Sequence, residues 1–209
     1  MNRNSIRLVA FDCDGVLFDS GSANRAYYNY ILQHFGLPEL TAAQFLHAQM
    51  HTVDSALANL IEDAELLSAV QAFRRNMSYI PFIRYMKIEP HLRQVLTRLR
   101  PHYKIAIATN RTDSMTRVLK DHDLSEWFDK VVTAIDVPNP KPHPDQLLLL
   151  MEYFRIAPSE MIFVGDSELD ALAAAQAKVP FFAYANPDLK ADAHITHLGQ
   201  VLEFLGLEN

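Results

Sequence analysis

Two carboxylates stand two residues apart directly after the first apolar run of the chain. Residues 6–11 are rich in strand formers, and Asp12, Asp14 and Gly15 follow them. A regular strand would send the two carboxylates to opposite faces, but a turn that begins at Asp14 can bring both toward one pocket. Paired carboxylates are suited to nucleophilic attack, to proton transfer and to binding a hard cation such as Mg²⁺.

Further polar residues follow later apolar runs. Thr109 and Asn110 end one run, Lys141 lies between two prolines, and Asp166 and Asp170 follow another run. The carboxyl ends of parallel strands lie side by side, so we expect these side chains to surround one cavity. Carboxylates, a hydroxyl and an ammonium around Mg²⁺ supply what a phosphoryl group requires, namely charge neutralisation and positioning.

The elements expected to position these residues alternate between strand and helix. Runs rich in strand formers lie at residues 6–11, 104–109, 130–135, 161–164 and 180–184. Apolar residues between the runs repeat with helical spacing, as at Leu92, Val95, Leu96 and Leu99. This alternation predicts an α/β fold with a Rossmann-like parallel sheet core and helices on both of its faces.

One long segment has only helical patterning. It runs from about residue 21 to residue 85, with a turn at residues 36–38 and with Thr41 as a candidate N-cap of the next helix. The predicted domains are a core of residues 1–19 and 86–209 and an inserted all-helical cap of residues 20–85. Because ligands of parallel sheets bind beyond the carboxyl ends of the strands, we expect this cap to act as a lid.

Composition narrows the classes of partner. The 209 residues carry a formal net charge of -6 and no basic run, so neither nucleic acid nor an anionic membrane is an expected partner. No apolar run approaches the roughly 18 residues of a spanning helix. The single cysteine, Cys13, is interpreted as a packing residue. Without a signal-peptide pattern the expected location is cytoplasmic, and the expected oligomeric state is a monomer or a homodimer.

The polar residues form four motifs that resemble those of the haloacid-dehalogenase-like superfamily. In chain order they are Asp12-x-Asp14-Gly15-Val16, Thr109-Asn110, Lys141-Pro142 and Gly165-Asp166-x-x-x-Asp170. Each motif alone is weakly specific, whereas all four in order at strand ends are a specific pattern. The helical segment resembles the small cap of the branch that contains phosphoglycolate phosphatase and β-phosphoglucomutase.

The resemblance implies the catalytic roles. Asp12 is the nucleophile that forms an aspartyl-phosphate, and Asp14 is the acid/base that protonates the leaving oxygen and then activates water. Lys141 steadies the nucleophile and the transferring phosphate. The dehalogenases of the superfamily lack a carboxylate at the position of Asp14, because a halide leaves without a proton. Its presence here favours a phosphatase.

The resemblance also implies the binding roles. Thr109 binds the phosphoryl oxygens, together with Asn110 and Lys141. The implied Mg²⁺ ligands are Asp12, the backbone carbonyl of Asp14, Asp166, and Asp170 directly or through water and Lys141. The implied substrate is a small phosphate monoester such as phosphoglycolate or a sugar phosphate.

Two alternatives stay open at this point. A phosphomutase of the β-phosphoglucomutase type would use the same residues and return the phosphoryl group to a second hydroxyl instead of to water. A catalytically idle binding protein could keep the fold, but such proteins commonly lose the nucleophile or a metal carboxylate. The intact acidic set therefore favours the enzyme.

Overall fold

The chain divides into two compact units. A computed structural model describes residues 3–49 and 53–207, and its contacts separate Met1–Asp19 with Lys87–Asn209 from Ser20–Met86. Within the described residues, every helix is too short or too polar to cross a membrane. The division into a catalytic core domain and a cap domain at the bounds given above stays a prediction.

The first unit contains a six-stranded parallel sheet, as the alternation of strands and helices predicted. In chain order the strands are β1 (Leu8–Phe11), β2 (Phe18–Asp19), β3 (Lys87–Ile88), β4 (Lys104–Ala108), β5 (Lys130–Val132), β6 (Met161–Gly165), β7 (Phe181–Tyr184) and β8 (Ala193–Ile195). The sheet has the spatial order β5-β4-β1-β6-β7-β8, and β2 pairs with β3 in a separate antiparallel ribbon. The strands β1, β4 and β6 are neighbours, so their carboxyl ends meet at one edge.

Helices occur in both units. The α-helices are α1 (Gly21–His34), α2 (Ala42–Gln49), α3 (Val53–Leu60), α4 (Ala64–Arg75), α5 (Leu92–Leu99), α6 (Met115–Asp121), α7 (Asp145–Phe154), α8 (Glu168–Ala177) and α9 (Gly199–Leu205). Short 3-10 helices lie at Arg3–Ser5, Ile80–Tyr85, Ser125–Trp127, Ala134–Asp136 and Pro158–Glu160. The helices α5 to α9 belong to the unit that contains the sheet.

The sheet is buried on both faces, which explains its nearly continuous apolar strands. Leu8 and Ala10 of β1 belong to one hydrophobic cluster with residues of α7 and α8. On the opposite face, Phe182 of β7 contacts Phe204 of α9, with ring centroids 5.0 Å apart. Every residue of β1 is fully buried. The predicted Rossmann-like sheet with helices on both faces is confirmed.

Some strand predictions were wrong in extent. The run predicted at residues 130–135 ends as a strand at Val132, because Thr133 is the N-cap of a 3-10 helix that begins at Ala134. The backbone N–H and hydroxyl of Thr133 donate to Asp136 Oδ2 over 2.7 and 2.6 Å, and this closes the turn. The strands β2, β3 and β8 escaped prediction because two or three residues are too few to show an alternating pattern.

The second unit has helices and no strand within residues 20–49 and 53–86. The predicted N-cap Thr41 is confirmed: Gln44 N donates to Thr41 Oγ1 over 3.2 Å, and Thr41 N donates to Gln44 Oε1 over 2.9 Å. Aromatic rings fill the interior, where Tyr27 lies 5.3 Å from Tyr79 and 5.4 Å from Phe82 between ring centroids. These ring contacts hold α1 against the segment that follows α4.

Candidate active site

Lys141 is the centre of a buried ion network in the first unit. Its Nζ lies 2.7 Å from Asp12 Oδ1, 2.5 Å from Asp170 Oδ1 and 3.0 Å from the backbone oxygen of Ala108. An ammonium has three N–H groups, so each has an acceptor. Burial lowers the pKa of Lys141, but the carboxylates of Asp12 and Asp170 outweigh that effect and raise it above its ordinary value. The lysine is therefore a fixed positive charge.

Asp12 lies at the carboxyl end of β1 in the middle of the sheet. Its backbone N–H donates to Val164 O over 2.8 Å, which extends the pairing of β1 with β6 beyond Phe11. Burial is the main cause that raises the pKa of Asp12, Lys141 opposes it, and Asp170 and Asp14 add to it. The resulting pKa is about 7. The backbone thus fixes the direction of this carboxylate, and its charge depends on nearby cations.

Asp166, at the end of β6, packs against Gly15 of the first motif. Gly15 has a φ of +76°, and a Cβ placed on it would lie 1.9 Å from Asp166 Oδ2. Only glycine satisfies both the backbone conformation and this close approach. Burial, and then the neighbouring carboxylates of Asp12 and Asp170, raise the pKa of Asp166 to about 8.

Asp170 is positioned by the start of α8. Ser167 N and Ser167 Oγ donate to Asp170 Oδ2 over 3.1 and 2.5 Å, while Asp170 N donates back to Ser167 Oγ. This capping box orients the other oxygen, Oδ1, toward Lys141. Asp170 is fully buried, and both of its oxygens have protein partners. This geometry fits a residue that holds Lys141 in place.

Three carboxylates of the site lie close enough to share a cation. Oxygens of Asp12, Asp166 and Asp170 all lie within 4.8 Å of one another. With Lys141 as the one ammonium among them, the group has two excess negative charges when all three are ionised. Burial first, and then this excess of negative charge, raise the pKa values of Asp12 and Asp166. The excess fits a divalent cation that prefers oxygen ligands.

The carboxyl group of Asp14 has a different partner. Its Oδ1 accepts a hydrogen bond of 2.7 Å from Arg111 Nη2, and it is not one of the three clustered carboxylates. The Asp14 side chain is 34% exposed, against 10% for Asp12. Burial, and then Asp14, raise the pKa of the Cys13 thiol well above its usual value. The thiol therefore stays protonated, as expected of a packing residue.

The second motif is tied to the lysine loop. Asn110 Nδ2 donates to Lys141 O over 2.8 Å, and Gln146 Nε2 donates to Thr109 O over 2.7 Å. Thr109 is 1% exposed. These bonds join the end of β4 to the segment around Lys141, so the amide of Asn110 has a structural partner here. Binding of phosphate by Thr109 and Asn110 stays a prediction.

Three residues that hold this site were missed in the sequence. Arg111 follows the second motif directly, so the rule that places functional residues at strand ends would have included it. Ser167 lies three residues before the predicted Asp170, which is the spacing of a capping box and a recognisable signal. Gln146 has no such signal, because its bond to Thr109 depends on how α7 packs against β4.

Comparisons with known proteins agree with this geometry. Residues 9–184 match a family described as haloacid dehalogenase-like hydrolase. The phosphoglycolate phosphatase of Escherichia coli (strain K12) is 31% identical over 208 residues, which cover 86% of this chain and 82% of the relative. A subfamily IA hydrolase from Geobacter sulfurreducens superposes with a TM-score of 0.86 at 36% identity, covering 97% of both chains. A β-phosphoglucomutase from Thermotoga maritima, so described provisionally, shares the fold, with a TM-score of 0.77 at 22% identity over 96% of this chain and 99% of that one.

Proposed function

Because the chain belongs to the haloacid dehalogenase-like hydrolase family, we propose that it is a Mg²⁺-dependent phosphatase that hydrolyses a small phosphate monoester through an aspartyl-phosphate on Asp12. The observation that carries the proposal is the buried network in which Lys141 joins Asp12 to Asp170. It provides a fixed carboxylate nucleophile beside an excess of negative charge. The fixed carboxylate is the nucleophile that phosphoryl transfer requires, and the excess of negative charge would hold the cation that neutralises the phosphoryl oxygens.

The side chains of Asp12 and Asp166 would hold the cation, with the backbone carbonyl of Asp14. Asp170 would support them, since its oxygens already bind Lys141 and Ser167. When bound, Mg²⁺ neutralises charge on the phosphoryl oxygens and favours the ionised form of the carboxylates. The clustered oxygens and the two excess negative charges support this assignment.

Asp12 acts as the nucleophile. Lys141 binds its Oδ1, so the carboxylate keeps one orientation, and its second oxygen is the one that attacks phosphorus. The new bond joins Asp12 to phosphorus as the bond from phosphorus to the leaving oxygen breaks. The fixed ammonium of Lys141 also lies where it would stabilise negative charge on the transferring group.

Asp14 acts as the acid/base. It gives a proton to the leaving oxygen in the first step, and in the second it takes a proton from the water that attacks the aspartyl-phosphate. The products are the alcohol, inorganic phosphate and the restored carboxylate of Asp12. The greater exposure of Asp14 and its place outside the acidic cluster suit a group that exchanges protons with substrate and water.

The proposed substrate is a compact organic phosphate, with phosphoglycolate as the first candidate. The support is the phosphoglycolate phosphatase of Escherichia coli, which aligns with most of this chain. Thr109 and Asn110 would bind the phosphoryl oxygens at the end of β4. We place the protein in the cytoplasm, a reducing compartment that suits its single cysteine.

The test is phosphate release from a panel of monoesters that includes phosphoglycolate, sugar phosphates and glycerol phosphates. Each compound is assayed with Mg²⁺ and again with excess chelator. We expect release with Mg²⁺ that is strongest for one or a few compounds and is lost with chelator. Release that needs a bisphosphate activator would favour a mutase, and the absence of release with or without activator would contradict an enzymatic role.

A further inference from the structure

We infer that Arg111 is a positioning residue for the proton-transfer step, because it fixes the carboxyl group of Asp14. The inference rests on the proposed function, in which Asp14 is the acid/base. Arg111 Nη2 lies 2.7 Å from Asp14 Oδ1, and the two residues are 97 positions apart in sequence. The guanidinium thus joins the residue after the second motif to the second carboxylate of the first motif.

The pair is more enclosed than the surface ion pairs of the same unit. The Arg111 side chain is 8% exposed, whereas Arg117, which pairs with Asp121, is 52% exposed. An ion pair in water is weak because solvent screens it and the side chains move. A largely buried guanidinium instead forms a charge-assisted hydrogen bond with a defined direction.

Arg111 is itself held from several sides. Its backbone N–H donates to Thr109 Oγ1 over 3.2 Å, and its backbone oxygen accepts from Ala134 N over 2.9 Å. Its Nη1 donates to Ser114 Oγ over 3.3 Å, just before α6. Both the backbone and the side chain of Arg111 are therefore anchored. Its hydrogen bond to Asp14 can hold the carboxyl group of Asp14 in one position.

The arrangement gives each of the two carboxylates its own cation. Lys141 holds Asp12, and Arg111 holds Asp14, although the two acids are only two residues apart. Arg111 binds Asp14 through Oδ1, which directs Oδ2 to the proton transfer. A carboxyl group without this anchor would sample several rotamers, and few of these would reach the leaving oxygen.

The leaving group provides the test. An alkyl phosphate needs a proton on its departing oxygen, whereas 2,4-dinitrophenyl phosphate releases a stable phenolate without one. The value of kcat/KM reports the steps up to aspartyl-phosphate formation. For Arg111→Gln we expect kcat/KM to fall about 10- to 100-fold on phosphoglycolate, or on the best alkyl phosphate of the panel, and less than about 3-fold on the dinitrophenyl ester.

Three variants make the result specific. Arg117→Gln removes an exposed arginine that pairs with an aspartate, and kcat/KM on both substrates should stay unchanged. Arg111→Lys keeps a positive charge and should recover part of the loss on the alkyl phosphate. The double variant Arg111→Gln/Asp14→Asn should lose no more than Asp14→Asn alone, because Arg111 acts through Asp14.

Other outcomes would overturn the inference. An equal loss of kcat/KM on both substrates would mean that Arg111 acts on the phosphoryl group or on folding in general. Losses that multiply in the double variant would mean the same. Unchanged kinetics of Arg111→Gln would remove the role altogether. Thermal unfolding shows whether Arg111→Gln is misfolded. If it is, Arg111→Lys replaces it in the test, and its loss of kcat/KM on the alkyl phosphate is compared with its loss on the dinitrophenyl ester. If the wild-type protein hydrolysed neither ester, the proposed function would fail, and the role of Arg111 with it.

Discussion

Charged side chains have different partners in the two compact units. In the first unit Lys141, which is 3% exposed, contacts Asp12, which is 10% exposed, and Asp170, which is fully buried. The acidic cluster around Lys141 has an excess of negative charge. In the second unit Arg74 pairs with Asp54 at 3.0 Å, and their side chains are 23% and 51% exposed. The first unit thus contains an ion network that is shielded from water, whereas this ion pair of the second unit lies near the surface.

The interiors differ in the same sense. The interior of the second unit has aromatic contacts between buried rings, such as Tyr27 against Phe82 with ring centroids 5.4 Å apart. Arg25 contributes to the packing of this unit: it donates to Leu40 O over 2.9 Å and lies over the ring of Phe45. We infer that polar groups of the second unit stabilise its helices, whereas those of the first unit are arranged at a cost to stability that fits a catalytic site.

The sharpest test of this contrast applies one chemical change in both units. Asp12→Asn removes the proposed nucleophile and should reduce phosphatase turnover on the order of 10⁴- to 10⁶-fold, as losses of nucleophilic residues do. Asp54→Asn should leave turnover within about 2-fold, because it changes an exposed ion pair. Steady-state phosphate release measures both variants, and circular dichroism checks that they are folded. Comparable turnover in the two variants would contradict the contrast.

Removing one cation from each unit tests its effect on stability. Lys141→Met leaves Asp12 and Asp170 buried without their ammonium and should cost about 3–5 kcal/mol. Arg74→Met breaks a more exposed pair and should cost about 1 kcal/mol or less. Urea unfolding in the presence of chelator compares the two variants with the wild type. Equal costs would show that the charges of the first unit are no more strongly coupled than those of the second.

Two glycines with positive φ offer a matched pair. A Cβ at Gly15 would lie 1.9 Å from Asp166 Oδ2, whereas a Cβ at Gly36, which has a φ of +68°, would meet nothing within 4 Å. Both alanine variants carry backbone strain of about 1–2 kcal/mol. Gly15→Ala should also displace Asp166 and lower kcat about 100-fold, while Gly36→Ala should keep full turnover. Retained activity and Mg²⁺ binding in Gly15→Ala would argue against Asp166 as a ligand.

The smallest expected effect is a dependence of stability on pH and metal. The folded-state pKa values of Asp12 and Asp166, about 7 and about 8, lie above the unfolded value of 3.8. The metal-free folded state therefore binds more protons, so its stability should fall as pH rises from about 4 to 8. Mg²⁺ at a hundredfold excess over Kd should raise the melting temperature by about 5–10 °C at pH 8. The increase at pH 5.5 should be smaller.

The control for that effect is Asp166→Asn. It removes one of the two raised carboxyl groups, so the decline of stability with pH should become shallower and the shift caused by Mg²⁺ should shrink. The unfolding temperature in chelator and in Mg²⁺ gives both quantities. A shift by Mg²⁺ of the same size in Asp166→Asn at pH 8 would place the cation elsewhere.

The parts of the site that follow from the parallel sheet were predictable from sequence. Strand ends in such a sheet converge, so Asp12, Thr109 and Asp166 had to approach one another once the runs before them were read as strands. The hydrogen-bond partners of the site residues were harder to predict from the sequence. Arg111 holds Asp14 only because the loops after β1 and β4 bring them within 2.7 Å, and no spacing along the chain encodes that distance.

In the second unit the helices could be predicted from the sequence, but the contacts between them could not. Its helices were predicted because apolar residues repeat every three or four positions, and Thr41 gave a recognisable cap. The ring contacts of Tyr27 with Tyr79 and Phe82 follow no period, because they depend on how separate helices pack. Strand β8, with three residues, was too short to be distinguished from a loop.

The central claim is that Asp12 carries the phosphoryl group, and trapping that group tests it most directly. The protein is mixed with a ³²P-labelled substrate and Mg²⁺, quenched in acid within milliseconds and digested with pepsin at low pH, where an acyl phosphate survives. We predict label on the peptide that contains Asp12, located on Asp12 by fragmentation and absent from Asp12→Asn. Rapid phosphate release without label on that peptide, or label on another residue, would contradict the account.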